Sequence, residues 1–219
     1  LPGVERPTVG TMFPTTGSPV LVVDSGANID ARPSQLLQFA RLGSVYMRDL
    51  LGLKSPRIGL LNVGEESSKG GALAVATHKL LQDDEDLNFV GNIEGHEIVE
   101  GACDVLVCDG FVGNVLLKFY ESVAGFIAGV LQAQLDPEVH GEGYKEVYRP
   151  IDYAERGGAP LLGVNGVSII CHGGSSARAI KNAIRVAGAC LESNMVEDMA
   201  SEFGLPTRRA RVWRRIRRR

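Results

Sequence analysis

No two of the four cysteines stand in CxxC spacing and the four histidines are scattered, so the chain lacks the tight ligand spacing of a zinc site. No metal and no cofactor is expected. A GxGxxG fingerprint is also missing, which argues against a dinucleotide oxidoreductase, and without a GxSxG elbow serine-hydrolase chemistry finds little support. His172 reads instead as an anchor for the end of a strand. A Walker A loop is absent, because Lys69 precedes its glycines rather than following them. No stretch is read as approaching the roughly 20 apolar residues that cross a bilayer. The first residue is Leu and no signal-peptide core follows, so the start is expected to be internal, that of a fragment or a processed product.

Cys103, Cys108 and Cys171 fall in or beside apolar strand-like runs, and Cys190 falls in an apolar helical stretch. That is the setting of buried free thiols in a reducing cytosol. Proline is sparse at ten residues, whereas glycine is abundant at 27. The glycines cluster at strand ends rather than in a repeat, which excludes collagen-like and low-complexity readings.

A chain of 219 residues that is 44% hydrophobic can bury a sizeable core and suits one large domain. Short continuous apolar runs at 19–24, 57–63, 87–92, 104–109 and 167–172 read as strands buried on both faces. Between them, helical spacing marks 33–51, 70–82, 114–134 and 175–199, with Pro33 suited to a first helical turn and Gly43 to a close helix approach. Residues 1–18 read as an irregular lead-in and 135–160 as an irregular excursion. Alternating strand and helix predicts an α/β fold, a three-layer αβα sandwich with a largely parallel sheet.

Four polar, glycine-bearing loops end the apolar runs: DSGAN at 24–28, NVGEESSKGG at 62–71, CDGFVGN at 108–114 and CHGGSSARAIKNAIR from 171. Loops leaving the carboxyl ends of parallel strands converge on one crevice, so an anion site built by all four is expected. Lys69 is the cation of the second loop, a point charge for phosphate or a solvated side chain, with Glu65 and Glu66 beside it. Asn114 reads either as the N-cap of the long helix or as a donor to a substrate oxygen, and Asp109 as an acceptor for a loop amide. Asn28 could serve a ligand or its own turn. Gly173, Gly174, Ser175 and Ser176 offer amides at a helix N-terminus, where Ser175 or Ser176 can cap.

Eight arginines fall between Arg208 and Arg219, and removing them from the 23 basic residues leaves 15 against 26 acidic ones, a body at −11. That balance does not fit a general nucleic-acid binder. Residues 1–206 therefore read as one domain and 207–219 as a separate tail. In the tail Val212, Trp213 and Ile216 are spaced for contact with an anionic membrane, although a disordered terminus fits the composition equally.

The segments DSGANIDARPSQLLQFARLGSVY, SPRIGLLNVGEESSKGG, FVGNIEG, DVLVCDGFVGNVLLK and GAPLLGVNG with HGGSSARAIKNAIR occur in one order from about Gly3 to Ala187. Together they resemble the bacterial phosphate acyltransferases of phospholipid synthesis. The resemblance implies a fold like that of phosphotransacetylases and isopropylmalate-type dehydrogenases. It also implies a cytoplasmic homodimer that passes a fatty acyl group from acyl carrier protein to inorganic phosphate. Lys69 and Asn114 match positions on which that family's activity depends, and the 114–134 helix becomes a candidate for subunit packing. The family's opening DxMGGD segment and SAGNTG loop are missing, so an isolated chain is expected to be impaired, and the arginine-rich tail departs from the family pattern. A phosphotransacetylase acting on a coenzyme A thioester and an inactive binding module remain the alternatives.

Overall fold

The computed structural model describes residues 1–134 and 157–204. Most of the expected excursion at 135–160, and the whole tail at 207–219, lie outside the described residues. In chain order the elements are β1 (Thr8–Phe13), β2 (Val20–Val23), α1 (Pro33–Leu51), β3 (Arg57–Leu61), α2 (Ala72–Gln82), β4 (Asn88–Ile93), β5 (Val105–Val107), α3 (Gly110–Gln134), β6 (Ala159–Leu162), β7 (Ile169–Ile170), α4 (Ala177–Glu192) and α5 (Met195–Glu202).

The strands form one seven-stranded sheet in the order β4-β3-β5-β2-β1-β6-β7. Strands β4, β3, β5 and β2 are mutually parallel. The other half is antiparallel at every step: β1 against β2, β6 against β1, and β7 against β6. The expected largely parallel sheet is thus parallel in four strands only. Two strands, β1 and β6, were not expected: β1 lies within a segment read as irregular, and β6 begins in one. TVGTMF of β1 is bracketed by Pro7 and Pro14, and APLL of β6 contains Pro160, so turn-type residues masked their strand character.

Because strand side chains alternate, consecutive residues feed opposite layers. Leu21, Val23, Val105 and Val107 join Phe39, Leu42 and Met47 of α1, together with Met195 and Met199 of α5. Val20, Val22, Leu106 and Cys108 face the other way, toward Leu116, Leu117 and Tyr120 of α3. The result is the expected three-layer sandwich. Helix α1 begins at Pro33, where Gln35 Oε1 accepts the Arg32 N–H at 2.9 Å, and ends at Gly52 in the left-handed region with φ 72°. Gly43 allows α1 to rest on the sheet, since a Cβ there would stand 2.7 Å from Val105 Cγ1.

Three features of the helices differ from expectation. Helix α3 starts at Gly110, a full turn before Asn114. The single helix expected over 175–199 is two, broken where Asn194 takes φ 57°, a conformation Asn tolerates better than most residues. The segment Gly110–Val130 of α3 is long and apolar enough, by length and composition, to cross a membrane, which corrects the reading that no stretch approaches that length.

Asp49, on the last turn of α1, has a buried Oδ2 with no hydrogen-bond partner among the described residues, while its Oδ1 accepts Arg48 Nε at 3.0 Å. Burial pushes this carboxyl above the ordinary range; Arg48 counteracts that and Asp198 adds to it. An acid whose folded pKa is raised destabilises the fold above that pKa, and the cost fades as pH falls through it. Asp49→Asn should therefore raise stability at pH 7 by about 1 kcal/mol. Thermal unfolding across pH should show the advantage shrinking toward acid.

Candidate functional site

Strands β2, β3 and β5 end in register, with Val23 opposite Val107 and Leu60 opposite Val107. Their following loops consequently leave one edge of the sheet. Neighbouring strands are about 4.8 Å apart, so the bases of the outer two loops, after β3 and β2, lie about 10 Å from each other.

The β2 loop is organised by Asp24, which is fully buried. Its Oδ1 accepts the N–H groups of Val9 (3.1 Å), Gly26 (3.1 Å) and Ala27 (3.0 Å). Its Oδ2 accepts the Asn28 N–H at 2.6 Å and Asn28 Nδ2 at 2.8 Å. The nest of amides in DSGAN is thus filled by the loop's own carboxylate. Asn28 Nδ2 also donates to the Pro7 carbonyl at 2.9 Å, so this amide serves its turn, the second of its two expected roles. Sequence reading quoted this motif without recognising Asp24 as its centre.

The β5 loop presses directly on that turn. Gly110 N–H donates to Asn28 O at 2.8 Å, and a Cβ on Gly113 would collide with the Asp24 carbonyl. Asp109 caps α3, its Oδ1 accepting the Val112 N–H at 2.9 Å. This removes the N-cap, the first of the two roles open to Asn114. Asn114 lies one turn inside the helix, beside Gly26, where a Cβ would stand 3.5 Å from Asn114 Oδ1. Among the described residues its amide makes no hydrogen bond. Asp109→Ala should accordingly cost about 0.5–2 kcal/mol of stability, and Asn114→Ala within about 0.5 kcal/mol, as read by urea unfolding.

Cys108 donates its thiol to Asp24 O at 3.5 Å. Burial, with Asp109 and Asp24 adding to it, pushes this thiol far above its ordinary value, and burial pushes Cys103 up to about 12. Neither is a nucleophile at neutral pH. Cys190 is buried, whereas Cys171 is only half-buried.

Lys69 sits in the β3 loop with its side chain 53% exposed and Nζ 3.9 Å from Glu66 Oε1. Its main chain is tied down more firmly than its side chain. The Lys69 N–H donates to Glu66 O at 3.0 Å, and Asn62 Nδ2 donates to Lys69 O at 3.0 Å. Gly70, at φ 87°, packs so closely on Asn62 Oδ1 that a Cβ would not fit. Asn92 Nδ2 reaches across from the end of β4 to the same Glu66 carbonyl at 2.9 Å, and Asn92 Oδ1 lies 2.9 Å from His78 Nδ1. Sequence reading missed Asn62, Asn92 and His78; Asn at the ends of two adjacent strands was the available signal.

The fourth loop is elsewhere. Strand β7 runs antiparallel to β2, so Gly173, Gly174, Ser175 and Ser176 leave the opposite edge of the sheet. Helix α4 confirms the placement, because Gly157, before the amino end of β6, packs on Asn182 and Ala183. Ser176 Oγ caps α4 through the Ala179 N–H at 3.3 Å, and His172 accepts the Gly174 and Ser175 amides at its Nδ1 and carbonyl. The expected four-loop crevice is corrected to three loops. A cleft of about 450 Å³ between Tyr46, Leu50 and Val186 is also remote from these loops.

The model of a family described as fatty acid synthesis protein matches residues 1–198. The phosphate acyltransferase of Nostoc sp. is 47% identical over 213 residues, covering 93% of this chain and 62% of that protein. That of Desulforamulus reducens is 49% identical over 201 residues, covering 89% and 60%. The chain thus spans about three-fifths of the length of these relatives. Among solved structures, a branched-chain phosphotransacylase from Enterococcus faecalis superposes with a TM-score of 0.54 at 17% identity, covering 84% of this chain and 64% of that one. The EutD phosphotransacetylase from Staphylococcus aureus gives 0.55 at 17% identity, covering 86% and 56%. These two likenesses establish a phosphotransacetylase-like fold. Matched over most of its length by the family model and nearly half identical to curated phosphate acyltransferases, the chain belongs to the fatty acid synthesis protein family.

Proposed function

We propose that the chain carries the phosphate side of an acyltransferase that converts acyl-[acyl carrier protein] and inorganic phosphate to acyl phosphate and free carrier protein. The observation that carries this reading is the emergence, at one sheet edge, of the Lys69 loop and of an Asn114 amide that makes no hydrogen bond among the described residues. Phosphate is already a competent nucleophile, so the enzyme has to position it and stabilise the oxyanion. A phosphate oxygen attacks the thioester carbonyl, a tetrahedral oxyanion forms, and its collapse expels the carrier's thiolate. The Lys69 ammonium opposes phosphate charge, and Asn114 Nδ2 donates to phosphate or to the oxyanion. The 173–176 amides have no direct part in this version of the site.

The test is mass-spectrometric detection of acyl phosphate from acyl carrier protein thioester and phosphate. It is run on the chain alone and on the chain extended at its amino end to the length of its relatives. No acyl phosphate from either removes the reading. The likeness to phosphotransacetylase structures favours one alternative, a coenzyme A thioester, and equal turnover of both thioesters would establish it. The same reading includes a cytoplasmic homodimer and peripheral membrane contact. Phe111, Phe119 and Phe126 on α3 are each more than 60% exposed, which supports a subunit contact there that sedimentation can check. Liposome flotation with and without residues 207–219 checks the membrane contact.

A further inference from the structure

We propose that His78 and Asn92 are positioning residues for the phosphate-binding loop, acting on Lys69 through one main-chain carbonyl. The proposal rests on the reading that Lys69 meets phosphate.

The Glu66 carbonyl is the junction. It accepts the Lys69 N–H at 3.0 Å from within the loop and Asn92 Nδ2 at 2.9 Å from β4. A carbonyl can only accept, so the Asn92 amide must turn its nitrogen toward Glu66 and its Oδ1 toward His78. His78 Nδ1, 2.9 Å from that oxygen, is therefore the protonated ring nitrogen. The ring is held by burial to 8% exposure and by an edge-on contact with Phe89, their centroids 5.1 Å apart. A rigid chain results: His78 on α2 orients Asn92, and Asn92 fixes the carbonyl that fixes Lys69. Asn62 holds the other side of the same residue through Lys69 O. An exposed loop gains a buried foundation in this way, and the ordering cost of placing the ammonium is met before phosphate arrives.

Side-chain length gives a clean test. Asparagine places an amide nitrogen where Nδ1 of histidine lies, whereas glutamine places it near Nε2. His78→Asn and His78→Gln lose the same ring contact with Phe89 but differ in the hydrogen bond to Asn92. Asn92→Asp keeps an acceptor for His78 and sets an oxygen against Glu66 O. Hydrogen exchange at the Lys69 amide and calorimetric affinity for inorganic phosphate are measured on the 219-residue chain. Asn92→Asp and His78→Gln should speed exchange and weaken phosphate binding about fivefold, roughly one hydrogen bond, while His78→Asn stays near wild type. Equal exchange in His78→Asn and His78→Gln, or wild-type exchange in Asn92→Asp, overturns the proposal. Unchanged phosphate affinity in Lys69→Ala would instead remove the phosphate reading, leaving exchange to judge the relay by itself.

Discussion

Lys69→Ala should lower acyl phosphate formation by about 100- to 1000-fold, the usual cost of removing one group that stabilises transition-state charge. Thermal stability should move by less than about 0.5 kcal/mol. The two halves of this expectation rest on different features of the same residue. The Lys69 main chain is engaged at both its N–H and its carbonyl, and alanine keeps both bonds. Its side chain is half exposed, and its contact with Glu66 is a long, solvent-screened pair that contributes little to folding. What alanine removes is the ammonium alone. Lys69→Arg should recover only part of the rate, because a planar fork on a fixed loop meets phosphate differently from a point charge. Turnover within threefold of wild type in Lys69→Ala would end the assignment of phosphate charge to this residue.

The sequence disclosed the parallel half of the sheet well and the antiparallel half poorly. Strands β2, β3 and β5 stand out as buried apolar runs, β4 reads as a strand although only its last two residues are buried at the sheet edge, and α1 and α2 show their helical spacing. Strands β1 and β6 were hidden by Thr, Gly and Pro. That omission had a consequence for the site. Without β1, strand–helix alternation implies a β7 parallel to the others and sets its loop at the shared edge. Three antiparallel steps reverse it. Strand direction depends on pairing between distant segments, so no local pattern around 171–176 could have revealed it. Asn114 shows a smaller version of the same limit. Capping preference is equally strong for Asp109 and Asn114, and the choice between them is made by close packing of Gly110 and Gly113 on the β2 turn.

That turn gives the largest expected loss of stability. Asp24→Asn should destabilise the fold by about 3 kcal/mol or more, because hydrogen bonds to a charged acceptor are each worth about 1.5–3 kcal/mol. Five donors converge on the carboxylate, three on Oδ1 and two on Oδ2. Whichever way an asparagine amide is turned, its NH2 group faces at least two N–H donors in a site closed to water. Asp24→Ala leaves all five donors without this acceptor and should fare no better. The damage should be local as well as global, since Val9 belongs to β1 and the carboxylate joins that strand to the β2 turn. Exchange at the Val9, Gly26, Ala27 and Asn28 amides should accelerate more than exchange in β3. Gly26 abuts Asn114, so a loosened turn should also weaken phosphate binding in the chain that remains folded. Asn28→Ala provides the scale: it removes two donated bonds and keeps the carboxylate's other partners, so it should cost about 1–2 kcal/mol. If Asp24→Asn unfolds within 1 kcal/mol of wild type in urea, the carboxylate is not the keystone of this edge, and the positions of Gly26 and Asn114 must be maintained by packing alone.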